Sequence, residues 1–408
     1  MKGNTTRRRF LAVLGGFLAS APGLARAAQE GHGHAAAAPP PAMPHGTGPS
    51  AAAGTGMAGM GPSHAWRDPA RPISPPPPLM GRQMGQVQTL NLPPLGYEMK
   101  DGVKVFRLVA QPVERWLTDG KHKAAWEIVK ENIRFTGGMS HAYAQRALLW
   151  GYNGQTPGPT IECVQGDRIR VVLTNELPEP TSIHWHGLEV PNDMDGAGGT
   201  TEPATPPGGT RVYEFKLHQT GTFLYHTGFN MMKQDGMGMG GFVVIHPKAY
   251  ARAIDHDVAI MLQAFALAPG NDFPNLATMD FNWFTMNGKA APDVEFIRVR
   301  QGQRVRLRFG NLAMSSHPIH LHGHTWKVVG TEGGPIPEGA QWPGNTINVA
   351  PGTTRDVEFV ADNPGLWRLH CHKLHHVMNA HAQVPLGVMA AGGMFTLLQV
   401  EPKGGGHG

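Results

Sequence analysis

Histidines gather in four short clusters of this 408-residue chain, at residues 184–186, 226, 317–322 and 370–376. Side chains on a β-strand alternate between its two faces, so the His-x-His pairs at 184/186 and 320/322 would each place two rings on one face. Two such pairs facing each other would form a cage of imidazoles, a donor type that suits copper, zinc, iron and nickel. The spacing therefore predicts a metal site built from several segments.

Cys371 lies inside the last cluster, between His370 and His372. Two histidines and one thiolate, with a weak axial group, form the blue-copper electron-transfer site. Zinc sites are expected to use more cysteines or a carboxylate, so this cluster favours copper. The chain's other cysteine, Cys163, lies in an apolar stretch and is interpreted as a buried small residue.

The four clusters, in this order, resemble the motifs of the multicopper oxidase family over roughly residues 145–400. In that family a type 1 copper is held by the histidine that opens the third motif, by the cysteine of the fourth and by a histidine five residues beyond it. The resemblance assigns these roles to His317, Cys371 and His376. It implies that electrons from a reducing substrate enter through Cys371 and leave through the two histidines that flank it.

The resemblance also implies a trinuclear copper cluster that reduces dioxygen to water in four single-electron steps. Its type 2 copper would be bound by His184 and His320. The two type 3 coppers would take His186, His226 and His372 on one side, and His322, His370 and the residue two positions after His226 on the other. Asp195 matches the acidic residue that the family places beside the cluster, which implies a role in proton delivery.

Gly228 occupies the position two residues after His226, where the family has a histidine. One type 3 copper would then keep only two protein ligands, and dioxygen reduction would be slowed or abolished. Two functions stay open: a laccase-like oxidase of phenols, aromatic amines or low-valent metal ions, and a copper-binding electron-transfer or copper-tolerance protein with an incomplete oxygen site. Copper nitrite reductases are disfavoured, because they carry the type 1 cysteine in the first domain, where this chain has Thr227.

His381, five residues past His376, stands where the family has Met, Leu or Phe. The axial ligand tunes the potential of a blue-copper site, so a coordinating His381 would lower it. Alternatively His381 points away, and the axial position is empty or filled by Met378.

Short runs rich in Val, Ile, Phe and Arg, separated by Gly and Pro turns, begin at about residue 100. Such runs are typical of strands in sandwiches and barrels, and no long helical period competes with them. The seven clearest are Ile169–Leu173, Val212–Leu217, Phe242–Ile245, Val258–Leu262, Val305–Phe309, Val357–Val360 and Phe395–Val400. Together with the resemblance, they predict an all-β chain of two tandem cupredoxin-like Greek-key β-barrels.

The chain also repeats itself. Four segments return in the same order: 165–170 as 301–306, 184–187 as 320–323, 207–215 as 351–359 and 221–226 as 365–370. The first two pairs are shifted by 136 positions and the last two by 144. The repeat indicates a duplicated domain, with cupredoxin domain 1 at residues 86–250 and cupredoxin domain 2, which carries the type 1 site, at residues 251–402.

His184 and His317 are 133 positions apart, which leaves room for one domain boundary and no intervening domain. This resembles the two-domain, small-laccase type of the family, in which the trinuclear cluster lies between domain 1 of one subunit and domain 2 of the next. A head-to-tail contact of this kind closes into a ring. The resemblance therefore predicts a homotrimer that shares its cluster between subunits.

Residues 1–27 resemble a twin-arginine export signal, with Arg7-Arg8-Arg9 before a short apolar run and Ala25-Arg26-Ala27 as the cleavage site. The apolar run is too short to favour a membrane anchor. These features predict a periplasmic or secreted protein with no membrane contact in its mature form. Residues 28–85, rich in Ala, Pro, Gly, Met and His, predict a disordered tail.

The formal net charge is +5, and the predicted signal holds five basic and no acidic residues. Removing it would leave a chain of about zero net charge. That balance excludes a basic footprint for nucleic acid. The partners predicted from the sequence are therefore dioxygen and a small reducing substrate.

Overall fold

The computed structural model describes residues 87–119, 144–291, 293–379 and 392–404. The predicted signal, the predicted tail at residues 28–85 and His381 lie outside these ranges. In the described part of the chain, no helix has both the length and the apolar character needed to cross a membrane.

Strands dominate the described residues, which form two short helices, α1 (Met231–Gln234) and α2 (Leu374–Met378). The strands of the first half are β1 (Gln88–Thr89), β2 (Glu98–Lys100), β3 (Val103–Thr118), β4 (Gln145–Tyr152), β5 (Ile161–Val164), β6 (Arg168–Asn175), β7 (Ile183–His184), β8 (Thr210–Lys216), β9 (Gly221–Thr227) and β10 (Gly240–His246). Those of the second half are β11 (His256–Phe265), β12 (Trp283–Met286), β13 (Ile297–Arg300), β14 (Arg304–Asn311), β15 (His317–Leu321), β16 (Trp326–Thr331), β17 (Gly334–Pro335), β18 (Trp342–Gly344), β19 (Thr346–Val349), β20 (Thr354–Val360), β21 (Gly365–Cys371) and β22 (Phe395–Glu401).

The strand β6 illustrates why the predicted runs fold as they do. Ile169, Val171 and Leu173 are fully buried, while the residues between them are partly buried. β-Branched side chains pack well on such a half-buried pleated surface. All seven predicted runs lie in strands, except that Leu217 follows the end of β8. The all-β prediction is confirmed.

The first half consists of two sheets that share one core. One sheet has the strand order β2-β3-β6-β8, with β4 also paired to β3, and the other has the order β5-β10-β9-β7. Phe106, Ile169, Tyr213, Phe223 and Val243 come from both sheets and pack together in that core. The strands β7 and β9, which carry histidines of the first two clusters, are neighbours in the second of these sheets.

The second half repeats this arrangement and extends it. Its sheets have the orders β1-β11-β14-β20-β16-β17 and β13-β22-β21-β15-β19, with β12 and β18 paired to β11 and β16. The strand β5 runs parallel to β10 as β13 does to β22. The register repeats as well, because His184 lies opposite His226 as His320 lies opposite His370. The duplication seen in the sequence is therefore present in the strand pairing.

An apolar cluster joins the two halves. Leu224, Phe242 and Val244 of the first half pack against Ala259 and Met261 of the second. At the N-terminal end of the described chain, β1 pairs in parallel with β11. The predicted boundary at residues 250/251 stays a prediction, because these contacts run across it.

A buried ionic group crosses the same junction. The Arg308 guanidinium donates to both carboxylate oxygens of Asp257, at 2.6 and 2.7 Å. It also donates to the hydroxyl of Thr222 at 2.6 Å, and that hydroxyl donates to Asp356 at 2.7 Å. Because Thr222 lies in β9, this group fixes the strand that carries His226 against the second half.

Candidate metal centres

The first candidate centre lies in the second half, where β15, β21 and α2 meet. His317 opens β15, Cys371 ends β21 and His376 lies in α2. The Nδ1 atoms of the two histidines are 3.0 Å apart, and the Cys371 Sγ lies 3.9 and 3.5 Å from the Nδ1 atoms of His317 and His376. All three side chains are buried. Two imidazole nitrogens and one sulfur thus converge, which is the donor set of a blue-copper site.

Burial controls the protonation of these groups. Burial, with the nearby positive charge of Lys373, lowers the pKa of His317 to about 3. Burial and the neighbouring His317 likewise lower the pKa of His376 to about 3. Both rings are therefore neutral near pH 7 and offer lone pairs. Burial raises the pKa of Cys371 to about 11, so this thiol must release its proton when a metal binds. The three groups fit a copper ion.

Phe284 contacts both the ligand ring of His376 and the neighbouring ring of His375, and these two rings also meet each other edge-on with centroids 4.3 Å apart. Its ring stacks on that of His376 with centroids 3.8 Å apart, and it meets His375 edge-on at 5.8 Å. His375 is exposed and does not join the convergent set. Met378 ends α2 two residues beyond His376.

A second candidate centre lies at the edge of the first half. His184 and His186 flank Trp185, whose ring is fully buried, so the alternation directs both histidines to the opposite face. His186 Nδ1 and His226 Nε2 are 3.1 Å apart. Ligand atoms of the three histidines all lie within 4.8 Å of one another. The partly exposed rings of His184 and His186 and the buried ring of His226 form one half of an imidazole cage.

Two of these rings have oxygen partners on their other nitrogen. His184 Nδ1–H donates to the Asp195 carbonyl at 2.9 Å, and the Asp195 carboxylate lies 3.5 Å from the same nitrogen. His226 Nδ1–H donates to the Thr227 carbonyl at 2.9 Å, with the Asp235 carboxylate at 3.4 Å. Burial lowers the pKa of His226, but Asp235 outweighs it and the pKa is raised overall. Such partners leave Nε2 available to a metal.

A third set of histidines lies at the edge of the second half. His322 Nε2 and His370 Nε2 are 3.1 Å apart. The His320 ring lies 4.8 Å from that of His322 and 5.6 Å from that of His372, measured between centroids. Burial and the neighbouring histidine rings lower the pKa of His322 to about 4. His322 is therefore neutral near pH 7 and offers a lone pair to a metal.

Backbone carbonyls hold the rings of the third set. His320 Nδ1–H donates to the Asn345 carbonyl at 2.8 Å, and His370 Nδ1–H donates to the Cys371 carbonyl at 2.8 Å. His372 is exposed. Among the residues that the structure describes, no hydrogen bond or ring contact joins this set to His184, His186 or His226. Each set of histidines presents an incomplete cage within one chain.

Comparison with known proteins agrees with this donor chemistry. Two family models, both described as multicopper oxidase, match residues 136–250 and 266–384, which together make up more than half of the chain. The chain belongs to the multicopper oxidase family. Members of this family bind copper, and the three histidine sets described above contain the residues at its motif positions.

Curated relatives include the multicopper oxidase MmcO of Mycobacterium tuberculosis, 29% identical over 45% of this chain and 43% of that protein. Laccase-20 of Oryza sativa subsp. indica is 30% identical over 52% of this chain and 39% of that protein. The chain spans less than half the length of these two relatives.

Solved structures show the same fold. The blue copper oxidase from Nitrosomonas europaea has a TM-score of 0.61 at 29% identity, covering 72% of this chain and 85% of that one. The multicopper oxidase mgLAC also has a TM-score of 0.61, at 27% identity, covering 74% of this chain and 88% of that one. These likenesses confirm the cupredoxin-like fold class. A copper nitrite reductase from Nitrosomonas europaea, 17% identical with a TM-score of 0.55 over 73% of this chain and 94% of that one, shares the fold alone.

Gly228, at the position of a family ligand, is closed off by backbone. A β-carbon there would lie 1.9 Å from the Gly196 carbonyl oxygen and 2.9 Å from the Ser182 hydroxyl. Gly196 has a positive φ of 77° and follows Asp195 in the loop that contacts His184. A histidine therefore cannot enter position 228 unless this loop moves.

The methionines that follow Gly228 divide into two pairs. Met237 and Met239 are buried in the first-half core. Met231 and Met232 are exposed. The difference arises because α1 turns its first residues outward before the chain re-enters the core. Cys163 is buried in the first-half core, and burial raises the pKa of its thiol.

Gln234 in α1 has a role that the sequence does not reveal. Its side chain is fully buried and its Oε1 accepts hydrogen bonds from the hydroxyls of Thr181 and Thr227, at 2.7 and 2.6 Å. Its Nε2 donates to Glu179 and to the Pro180 carbonyl, at 2.8 and 2.9 Å. These four bonds hold α1 against Thr227, which follows His226, and against residues 179–181, which precede β7. A polar residue within a methionine-rich stretch gives no sequence signal of this kind.

Proposed function

We propose that this chain is a laccase-like copper oxidase that takes single electrons from a small reducing substrate and reduces dioxygen to water. The main support for this proposal is the arrangement of the side chains in the segment His370–His372. The Cys371 thiol faces His317 and His376, while the two flanking histidines belong to the third set of rings. One tripeptide thus joins the site that would accept electrons to the site that would use them.

Bound copper would supply single-electron transfer at the Cys371 site and dioxygen reduction at the histidine cluster. The chain's part is to hold the two sites at a fixed separation. The bond from His370 Nδ1–H to the Cys371 carbonyl locks a cluster ring to the peptide that bears the thiol. The complete burial of Cys371 keeps the thiol away from water and from other oxidants.

Asp195 would deliver protons to the cluster. Its side chain is about one third exposed, and one carboxylate oxygen lies 3.5 Å from His184 Nδ1. The group therefore contacts solvent on one side and a cluster ring on the other. A carboxylate in that position can exchange protons with water and pass them inward.

The cluster would be completed by a second copy of the chain in a homotrimer. The first-half and second-half histidines have no mutual contact in the described chain, and the exposed ring of His372 supports the same arrangement. Light scattering of the copper-loaded protein should give three times the chain mass. A monomer with a full copper complement would contradict the shared cluster.

The substrate class is proposed from the likeness to proteins named laccase and multicopper oxidase. Phenols, aromatic amines and low-valent metal ions are the candidates. Oxygen uptake with a phenol and with cuprous ion, measured on protein of known copper content, tests the oxidase. A blue protein that takes up no oxygen with either would reject it.

The closed backbone at Gly228 favours a second candidate function. A type 3 copper with only His322 and His370 as chain ligands would be held weakly, and the protein would then transfer electrons or bind copper without reducing dioxygen. Copper counts per chain separate the two functions. A blue protein that keeps only the type 1 copper after dialysis would support the second candidate.

Export through the twin-arginine pathway to the periplasm or the cell exterior is proposed from residues 1–27. Replacing Arg7-Arg8-Arg9 with lysines should leave the uncleaved chain in the cytoplasm, because the paired arginines are read by a receptor. The mass of the exported protein should be that of a chain that begins at residue 28. An unchanged distribution in the lysine variant would reject the proposal.

A further inference from the structure

We propose that Asp235 is a positioning residue for His226, and that it holds the imidazole in the tautomer whose Nε2 faces the cluster. The inference rests on the proposed function, because it assumes that His226 is a copper ligand. Nothing in the sequence motifs assigns a role to Asp235, which lies nine positions after His226.

The contact geometry supports this assignment. Asp235 Oδ2 lies 3.4 Å from His226 Nδ1, and the same Nδ1–H donates to the Thr227 carbonyl at 2.9 Å. Two oxygens thus face the nitrogen that points away from the cluster. The opposite nitrogen, Nε2, lies 3.1 Å from His186 Nδ1. A proton held on Nδ1 leaves the lone pair on Nε2, the atom that would bind metal.

The Asp235 carboxylate is otherwise poorly satisfied. Its Oδ1 is buried and has no hydrogen-bond partner, although the side chain as a whole is one quarter exposed. A buried carboxylate oxygen without a partner costs stability, and such groups call for a functional explanation. The hydroxyl of Tyr152 is also buried without a partner and interacts electrostatically with Asp235. The edge of His226 is the contact that accounts for a charge in this place.

The helix α1 fixes Asp235 where it can act. Asp235 caps the C-terminal end of α1, and its N–H donates to the Met231 carbonyl. The preceding Gln234 clamps α1 to Thr181, Thr227 and Glu179. The carboxylate is therefore placed by buried hydrogen bonds, and its distance to the ring does not depend on a mobile loop.

The second half lacks this carboxylate. A shift of 144 positions aligns His226 with His370 and Asp235 with Asn379. The Asn379 amide bonds to the backbone of Phe284 and Gly392, and His370 Nδ1–H has the Cys371 carbonyl as its acceptor. Since both halves already provide a backbone carbonyl for this ring, the charge at position 235 adds something that the fold alone does not need. A carboxylate partner strengthens the ring as a metal donor.

The test compares Asp235→Asn and Asp235→Ala with the wild-type chain and with Asp193→Asn, which changes an exposed carboxylate two residues before Asp195. Each protein is titrated with copper, and three quantities are recorded: copper bound per chain, the near-ultraviolet absorption of the type 3 pair and the blue absorption of the type 1 site. Loss of the Asp235 carboxylate should weaken copper binding at the type 3 pair about 10-fold or more. Alanine should weaken it more than asparagine, because asparagine keeps an oxygen acceptor.

The blue absorption serves as the internal check on folding. It should be unchanged in both Asp235 variants, and Asp193→Asn should match the wild type in all three measurements. Wild-type affinity in Asp235→Ala, or joint loss of blue and type 3 copper, would overturn the positioning role. If the wild-type chain itself binds no type 3 copper, the proposed oxidase fails and this inference fails with it, a result distinct from failure of the Asp235 variants alone.

Discussion

Cys371 and Gly228 stand at opposite ends of the electron path proposed for this chain. The thiol has two neutral imidazoles within 3.9 Å, and its burial raises its pKa to about 11. At Gly228 the chain has no side chain, and the Gly196 carbonyl occupies the space where a β-carbon would go. In the proposed function, Cys371 would govern how well electrons enter and Gly228 how well dioxygen is reduced.

Replacing Cys371 with Ser should abolish the blue absorption and substrate oxidation, because a hydroxyl cannot supply a thiolate. Copper at the histidine cluster should remain, since its proposed ligands are all imidazoles. Absorption spectra and copper content measure both effects. The matched control is Cys163→Ala, which removes a buried thiol from the first-half core. It should stay blue and lose about 1 kcal/mol of stability. A blue Cys371→Ser protein would contradict the assignment.

Gly228→Ala should destabilise the protein by about 1–3 kcal/mol, because the new β-carbon overlaps the Gly196 carbonyl. Gly228→His restores the family residue, but it should bind no additional copper, because its side chain meets the same obstruction. Gly339→Ala is the control, since its β-carbon meets open space, and its effect should stay within about 0.5 kcal/mol. Thermal unfolding and copper analysis provide the measurements. A stable Gly228→His protein with added copper would show that the Asp195 loop moves easily.

At the scale of elements, the short helix α1 depends on Glu179. Burial raises the pKa of Glu179, but hydrogen bonds from Gln234, Lys233 and Asn230 outweigh it and lower the pKa overall. A carboxyl whose pKa is lower in the folded state stabilises the fold above its unfolded pKa. That contribution is lost as the pH falls through the folded pKa.

Glu179→Gln should therefore lower the free energy of unfolding by about 1–2 kcal/mol at pH 7 and by progressively less in acid, below the unfolded pKa of about 4.3. Chemical unfolding at several pH values measures the difference. Glu176→Gln removes an exposed carboxylate three residues earlier and should have little effect at any pH. An equal loss in Glu179→Gln at pH 3 and pH 7 would mean that the charge is not responsible.

The sequence predicted the strands more completely than it predicted the contacts between side chains and backbone at the candidate sites. The alternating run of β6 reports burial directly, and the repeat required the same pairing in both halves. In β14 the alternation is less informative, because Arg304 and Arg308 are buried together with the apolar residues. Asp235 was missed because its role depends on where α1 ends relative to the His226 ring. The closure at Gly228 was missed for a similar reason, since it depends on a carbonyl 32 positions earlier in the chain. Neither distance is encoded in local residue type.

At the scale of the whole molecule, the proposed sharing of the cluster between subunits predicts complementation between chains that each lack one set of histidines. A variant lacking His184 and His186 keeps an intact second-half set, and a variant lacking His320 and His322 keeps an intact first-half set. Each alone should be inactive. Mixed trimers formed by refolding the two together should regain part of the oxygen uptake, because some interfaces then combine both intact sets.

Two controls make that result specific. Each variant refolded alone at the total concentration of the mixture should stay inactive. Each should remain blue, since His317, Cys371 and His376 are unchanged. Oxygen uptake and the mass of the mixed species are measured together. A mixture that forms trimers but takes up no oxygen would place the cluster within single chains.

The clamp around Gln234 bears on how the protein matures. The repeat aligns Thr181, Thr227 and Gln234 with His317, Cys371 and Met378. In the second half, a thiol and imidazoles surround a candidate metal position. In the first half, hydrogen bonds between neutral side chains fill the equivalent position. The first copy can thus reach its final structure before any copper arrives, whereas the second keeps a position that only the metal completes. Copper supply would therefore govern the completion of this buried position in the second half, whereas the corresponding position in the first half would be complete without it.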